Sequence, residues 1–166
     1  MHIQIQQKIT SADWQSLTDW AEQVFPEEGR DLQWGESSHH IVARDTDGKA
    51  VGHIGVGQFA LTTTLGTRYV LGVGGVVVRP EYQGQRLPEK LFSALHTMPL
   101  DAFQTQTFAL FCPFRLVDYY RRHGYQPFEH AVVAMDGDTN RFANFCFMTR
   151  GNIDWQSPIQ LQTLPW

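Results

Sequence analysis

Two long β-type segments, at residues 50–64 and 69–79, constrain the fold of this chain more than any other feature. Both are rich in valine and glycine, and only Leu65-Gly66-Thr67-Arg68 separates them. Two such runs joined by a short glycine-containing segment predict a β-hairpin. No aspartate or glutamate occurs between Gly48 and Pro80, so neither strand of the hairpin offers a carboxylate.

Shorter segments on both sides of the hairpin predict alternating strands and helices. The predicted elements are a strand at 3–6, a helix that begins at the N-cap Ser11 and ends at Pro26, a strand at 40–44, the hairpin, a helix with Pro88 in its first position, a strand at 108–112, a helix at 114–123 closed by Gly124, and strands at 130–136 and 144–150. The segment after Gly151 shows no clear pattern. This order predicts one α/β (α+β) domain over residues 1–166, with a mixed central sheet flanked by helices on both faces.

Charge and hydropathy exclude several classes of function. The chain of 166 residues has 13 basic and 17 acidic side chains, a net charge of −4. It therefore lacks the basic face that nucleic-acid binding or electrostatic membrane attachment requires. No apolar run approaches the roughly 20 residues of a membrane span. Because no secretory signal is visible at residues 1–4, we expect a cytoplasmic protein with Cys112 and Cys146 reduced and buried.

Three local patterns resemble functional motifs but lack the required context. Residues 55–60 match a dinucleotide fingerprint, but a strand-like threonine run follows where a helix should begin. His39 and His40 would point to opposite faces of a strand, so they make a poor metal chelate, and we expect no metal. Cys112 fits a buried strand cysteine better than a nucleophile.

The most informative segment for function is residues 74–92, where a β-branched strand stops at Pro80, a polar turn follows, and a helix begins near Pro88. A turn that leads into a helix N-terminus collects unpaired backbone N–H groups, and the helix dipole adds positive potential. Such a turn suits a pyrophosphate, although ordinary strand–loop–helix connections look similar.

This segment resembles motif A of the GNAT superfamily of N-acetyltransferases. Val78, Pro80, Tyr82 and Gly84 match the motif, whereas Arg86 replaces a glycine and Pro88 replaces a small residue. The resemblance implies acetyl-CoA as cofactor, with its pyrophosphate at the backbone of residues 83–87 and at Arg86. The cofactor-binding residues that it implies are Val76, Val77, Val78, Gln83, Gly84, Gln85, Arg86, Leu87 and Pro88.

A second match lies at Leu116–Tyr125, which is similar to the helix that carries the family's Tyr-x-x-x-Gly pattern. The resemblance places Tyr120 near the sulfur of the acyl thioester, as the general acid that protonates the leaving thiolate. A core aromatic role beside Tyr119 is the alternative.

A narrower likeness points to aminoglycoside 2′-N-acetyltransferases and, more distantly, to nodulation N-acyltransferases. The likeness breaks at Gly74, where the aminoglycoside enzymes carry a glutamate. His53 is the only imidazole between Gly48 and Pro80 and is the candidate base, with a hydrogen-bonded strand histidine as the alternative. Glu129, His130, a water chain, or the terminal carboxylate of Trp166 are the other options.

The expected function is transfer of an acetyl group from acetyl-CoA to a primary amine of a small molecule or amino sugar, by direct attack. The alternatives are a non-catalytic acyl-CoA-binding module on the same fold, or a longer-chain acyltransferase. The resemblance allows a homodimer. Trp34, Phe59 and Trp166 either wall an apolar acceptor pocket or belong to the core.

Overall fold

The computed structural model describes residues 1–20 and 32–166. Its elements are β1 (His2–Gln6), α1 (Ser11–Thr18), β2 (His39–Arg44), β3 (Ala50–Thr63), β4 (Gly66–Val78), a 3₁₀ turn (Pro80–Tyr82), α2 (Leu87–Thr97), β5 (Phe108–Pro113), a 3₁₀ turn (Phe114–Leu116), α3 (Val117–Arg121), β6 (Gln126–Pro127), β7 (Val132–Val133), β8 (Phe145–Arg150) and β9 (Ile159–Leu161). Among these residues, no helix has the length and apolar character needed to cross a bilayer.

The predicted hairpin is the centre of a mixed sheet with the order β1-β2-β3-β4-β5-β8-β6. Strand β1 pairs antiparallel with β2, and β2 pairs antiparallel with β3. Strand β4 pairs parallel with β5, which requires a crossover connection, and helix α2 lies in that connection. Strand β5 pairs antiparallel with β8. The mixed α/β fold predicted from the sequence is therefore confirmed.

The chain divides into two compact units, each with its own core. The first comprises the described residues 1–20, 37–56 and 74–99. In this unit, α1 covers one face of the sheet through Leu17, which packs with Val42 and Val77. Helix α2 covers the opposite face, where its Leu91 side chain lies 3.0 Å from the position that a Cβ on Gly52 would occupy. Alternation along β3 puts Gly52 and its neighbour His53 on these two different faces.

The second unit comprises the described residues 32–36, 57–73 and 100–166, and its core is mainly aromatic. Trp166 is 5% exposed, and its indole Nε1 donates a hydrogen bond to the Ala109 carbonyl at 2.9 Å. Its ring stacks on Phe59, with 4.5 Å between centroids. The indole lies where a Cβ on Gly72 would be, so the glycine makes this close approach sterically possible. Phe59 and Trp166 are thus core residues, which is the second of the two alternatives that the sequence left open.

Several element boundaries differ from the sequence predictions. Thr10 is the N-cap of α1, with its side chain accepting from the Asp13 amide, and Ser11 is the first helical residue. Residues 19 and 20 form a turn after α1, and the predicted helical residues from 21 to Pro26 lie outside the described residues. Pro88 occupies the second rather than the first position of α2.

The C-terminal third departs most from the prediction. The helix predicted at 114–123 is a 3₁₀ turn followed by the single-turn α3. The strand predicted at 130–136 shrinks to Val132–Val133, because the chain then turns at Gly137. The segment after Gly151 contains β9, which pairs with β3 through Leu61. A three-residue strand is too short to give a clear alternation pattern.

Candidate functional site

The polar turn between β4 and α2 is held by its own side chains. Gln83 Nε2 donates to the Val78 carbonyl at 3.1 Å, and Gln85 Nε2 donates to the Glu81 carbonyl at 2.9 Å. Both glutamine side chains therefore bond back into the chain that precedes them. The backbone amide of Gln83 is used in the same way, since it donates to the Pro80 carbonyl at 3.2 Å.

Two residues of this turn have left-handed backbone conformations. Gly84 has φ +78°, which glycine adopts freely. Arg86 has φ +58° and ψ +25°, and it is the only non-glycine residue with a positive φ in the part of the chain that the structure describes. A left-handed residue with a Cβ costs about 1–2 kcal/mol. Such strain concentrates at functional sites, where it is kept because it positions a group.

Arg86 is also the N-cap of α2, and its side chain makes no capping hydrogen bond. The first amides of the helix have no acceptor within the helix, and the dipole makes this end positive. Pro88 removes one of those donors. The exposed Arg86 guanidinium makes no ion pair with any described residue, so it can supply a charge-assisted contact to a phosphate. The residues present therefore fit a pyrophosphate.

The three valines that precede the turn are placed differently from one another. Val76 is half-buried, whereas Val77 packs with Leu17 in the core of the first unit. The side chain of Val77 is thus turned away from any cofactor, and only its backbone can contribute. Val78 is buried, and its carbonyl accepts the hydrogen bond from Gln83. Leu87 is fully buried, so it too can contribute only backbone.

His53 is 2% exposed, and both of its ring nitrogens have partners in the first unit. Its Nδ1 lies 2.7 Å from the Gly75 carbonyl oxygen, and its Nε2 lies 2.9 Å from His40 Nδ1. Trp14 packs edge-on against the ring, with 5.5 Å between centroids. Burial lowers the pKa of His53 to about 4, so the imidazole is neutral at pH 7. Its role as a base stays a prediction.

Tyr120 lies at the end of α3 in the second unit and is 8% exposed. Its ring meets Tyr119 edge-on at a centroid distance of 5.0 Å and Tyr125 at 6.2 Å. Burial, with a smaller contribution from Tyr119, raises the pKa of the Tyr120 hydroxyl above its usual value. The hydroxyl is therefore protonated throughout the physiological range, as a proton donor must be. Its catalytic role also stays a prediction.

The other side chains that the sequence suggested for chemistry fit it less well. Burial raises the pKa of the Cys112 thiol to about 12, which removes the thiolate that a nucleophile needs. Glu129 is exposed, and His130 is half-buried with its ring 5.3 Å from Phe128. Within residues 1–20 and 32–166, no group of His, Cys, Asp and Glu side chains is arranged to hold a metal ion.

Sequence reasoning missed the pairing of His40 with His53. Side-chain alternation along β2 predicts that His40 and Val42 share a face of the sheet. Because Val42 is the register partner of His53, His40 and His53 also share that face. This inference needs the β2–β3 register, since a one-residue shift would put His40 on the other face.

Comparisons with known proteins agree with this fold. A family model described as an acetyltransferase (GNAT) domain matches residues 6–128. No curated protein sequence matches the chain. Among solved structures, Escherichia coli ElaA has 17% identity and a TM-score of 0.58, over 91% of this chain and 100% of that chain. An acyl-CoA N-acyltransferase from Pseudomonas aeruginosa has 18% identity and a TM-score of 0.61, over 90% and 99%.

A third solved structure was determined with a cofactor bound. N-acetylglutamate synthase from Neisseria gonorrhoeae, complexed with coenzyme A and N-acetyl-glutamate, has 14% identity and a TM-score of 0.55. The alignment covers 90% of this chain and 35% of that one. At these identities the structural likeness establishes the fold alone.

The mixed central sheet with helices on both faces is the GNAT fold. The family match covers most of the chain, and the chain belongs to the GNAT acetyltransferase family. This membership confirms the broader resemblance seen in the sequence. The narrower likeness to aminoglycoside 2′-N-acetyltransferases stays a prediction.

Proposed function

We propose that this chain is an N-acetyltransferase that transfers the acetyl group of acetyl-CoA to a primary amine of a small molecule or amino sugar. The observation that carries the proposal is the turn at residues 83–88, with Arg86 in a left-handed conformation at the N-terminus of α2. A strained arginine at an uncapped helix N-terminus suits an anionic group.

Each part of the chain has a distinct task in this proposal. The amides of residues 84–87 and the Arg86 guanidinium bind the pyrophosphate, which orients the rest of the cofactor, whereas the Gln83 amide is held by the Pro80 carbonyl. The cofactor supplies a thioester, whose carbonyl carbon the neutral amine attacks. Tyr120, kept protonated by burial, donates its hydroxyl proton to the departing sulfur.

Direct attack by the amine is supported by the state of the cysteines. Both Cys112 and Cys146 are free thiols, and burial raises the pKa of each one. Neither therefore provides the thiolate that a covalent acyl-enzyme route would need. In this proposal the amine therefore attacks the thioester directly.

The first experiment measures acetyl-CoA binding by isothermal titration calorimetry for the wild type, Arg86→Ala and Arg86→Lys. We expect the alanine variant to lose about 10-fold in affinity, because a charge-assisted phosphate contact is removed. Lysine keeps the charge, so its loss should be smaller. Absence of wild-type binding at millimolar acetyl-CoA would overturn the proposal.

The second experiment measures acetyl transfer to glucosamine, kanamycin and spermidine as release of free coenzyme A. These amines separate an amino sugar, a polycationic aminoglycoside and a linear polyamine. Turnover with any of them supports an N-acetyltransferase, and the preferred amine identifies the acceptor class. Tight acetyl-CoA binding without turnover of any amine would favour a binding module instead.

A further inference from the structure

Three polar groups form one continuous line across β2, β3 and β4 in the first unit. The Gly75 carbonyl, the His53 ring and the His40 ring follow one another at 2.7 Å and 2.9 Å. Both distances are within normal hydrogen-bond range. The line begins on β4, the strand that carries Val76–Val78 and leads into the turn at residues 83–88.

The carbonyl at one end fixes the direction of every hydrogen bond in this line. A carbonyl oxygen can only accept, so His53 must carry its hydrogen on Nδ1. A neutral imidazole has one N–H, so the Nε2 of His53 holds a lone pair and accepts from the Nδ1–H of His40. The Nε2 of His40 then holds a lone pair as well. Among the described residues, no protein group is hydrogen-bonded to that nitrogen.

Three features of the fold build this line. Gly75 has φ +57°, a left-handed conformation in mid-strand, and its carbonyl accepts from a side chain. In the β2–β3 register, His40 lies opposite Gly55 and His53 lies opposite Val42, so the two imidazoles are diagonal neighbours on one face. A Cβ on Gly75 would lie 3.2 Å from Cε1 of His53, so this glycine leaves room for the ring. Trp14 then covers His53 from α1.

The two histidines differ in their access to solvent. His53 is 2% exposed, whereas His40 is half-buried. Solvent therefore reaches the line at His40 but not at His53. His53 is the only imidazole on either hairpin strand, and neither strand has a carboxylate.

We propose that His40 Nε2 is the base that accepts the proton of the acceptor amine, and that His53 is a positioning residue that holds His40 in the required tautomer. The inference rests on the proposed function. An N–H bond of the substrate ammonium breaks, its electron pair stays on nitrogen for attack, and the proton forms a new N–H bond at His40 Nε2. The resulting imidazolium keeps its Nδ1–H bond to the lone pair of His53.

Burial keeps both imidazoles neutral at pH 7. It lowers the pKa of His40, with a smaller contribution from His39, and it lowers the pKa of His53, with a smaller contribution from His40. Among the described residues, two ion pairs lie on this face: Asp13 of α1 with Arg44 of β2 at 2.5 Å, and Asp19 after α1 with Arg79 after β4 at 2.7 Å. On β1, the register partner of His40 is the uncharged Gln6.

The kinetic test compares His40→Asn, His53→Gln and His53→Leu. Asparagine cannot take the proton, so kcat should fall at least about 100-fold. Glutamine can donate to the Gly75 carbonyl and accept from His40, but it cannot take a proton. If His40 is the base, His53→Gln should therefore stay within about 10-fold of the wild type, and His53→Leu should lose more. Full activity in His40→Asn, or a larger loss in His53→Gln than in His40→Asn, overturns the proposal.

The pH profile separates a base from a merely structural residue. For the wild type, kcat/KM with the preferred panel amine should fall on acidification with an apparent pKa below the usual histidine value of about 6.5. His40→Asn should lose that acidic limb, and His53→Gln should keep it. An unchanged limb in His40→Asn overturns the assignment. Acetyl-CoA affinity should be the same in all variants, because none touches the turn at residues 83–88.

A second readout needs no acceptor amine. Long-range ¹H–¹⁵N correlation spectra of ¹⁵N-histidine-labelled protein at pH 7 report which ring nitrogen carries the hydrogen. Both His40 and His53 should be in the Nδ1–H tautomer, which is the minor form of a free imidazole. An Nε2–H tautomer at His40 would place a hydrogen where the proposal requires a lone pair, and would overturn it. This result stands whether or not the amine panel is turned over.

Discussion

Arg86 shows how a single residue can be unfavourable for folding and still be retained. Its φ of +58° places a Cβ in a backbone region that costs about 1–2 kcal/mol. A glycine would remove that cost. In exchange for this strain, the protein has a guanidinium at the N-terminus of α2. This group has no ion-pair partner among the described residues.

The first prediction at this scale is that Arg86→Gly weakens acetyl-CoA binding without lowering the free energy of unfolding. We expect the free energy of unfolding to stay level or rise by up to about 1 kcal/mol, since backbone strain is relieved. Acetyl-CoA affinity should fall as much as in Arg86→Ala. Urea unfolding and calorimetry on the same preparations measure the two effects. A stability loss above 1 kcal/mol would mean that the conformation of Arg86 is not strained.

Tyr120 gives a second prediction at this scale. Phenylalanine keeps the ring but removes the hydroxyl, so Tyr120→Phe should lower kcat about 100-fold or more with little change in acetyl-CoA affinity. Tyr119→Phe is the matched control, since Tyr119 lies edge-on to the same ring at 5.0 Å and is half-buried. If both variants keep full kcat, Tyr120 is only a core aromatic.

At the scale of elements, β4 combines two tasks along one strand. Its first part, at Gly72, admits the Trp166 indole against the backbone of the second unit. Its last part, at Gly75, presents a carbonyl to His53. A strand with side chains at both positions could do neither.

A double-mutant cycle tests the first of these tasks. A Cβ at Gly72 would overlap the indole, so Gly72→Ala should destabilise the protein by about 1–3 kcal/mol through overpacking. Trp166→Ala should cost about 3–5 kcal/mol. Because the clash disappears without the indole, the double variant should be more stable than the two losses predict. Simple additivity would show that the two residues do not compete for this space. Leu65→Ala, at a 56% exposed position, serves as the near-neutral control.

Elements with strong local signals were predictable from the sequence, and tertiary relations were not. The hairpin, β2, β5 and α2 follow from β-branched runs, glycine turns and helical spacing. The short β9 has no such signal and forms because Leu61 on β3 provides a partner. In the same way, the sequence could identify the turn at residues 83–88, but the His40–His53 contact depends on a strand register that only the fold supplies.

At the scale of the whole molecule, the buried histidine ties stability to pH. The pKa of His53 is about 4 in the folded protein and near 6.5 in the unfolded chain. Between pH 6.5 and 4 the unfolded chain therefore binds one more proton than the folded protein, and unfolding is favoured as pH falls. Above pH 6.5 the full stabilising contribution of the neutral His53 is present. Between pH 6.5 and 4 we expect the free energy of unfolding to drop by about 3 kcal/mol from this group.

The measurement is urea unfolding of the wild type and His53→Gln at half-unit steps from pH 7.5 to 4. The difference between the two curves isolates the contribution of the pair, because His39 and the carboxylates are common to both proteins. Arg44 lowers the pKa of Asp13 to about 2, so protonation of Asp13 should change the free energy of unfolding only below about pH 4. Parallel curves above pH 4 would contradict the low pKa of His53.

The cross-strand neighbours Cys112 on β5 and Cys146 on β8 give the chain a built-in reporter. Both thiols are buried and resist deprotonation while the ladder is closed, whereas an unfolded cysteine ionises near pH 8.5. The rate of alkylation by iodoacetamide at pH 8 therefore reports how often the β5–β8 ladder opens. Mass spectrometry of the alkylated protein over time measures this local opening of the second unit without a dye or a substitution.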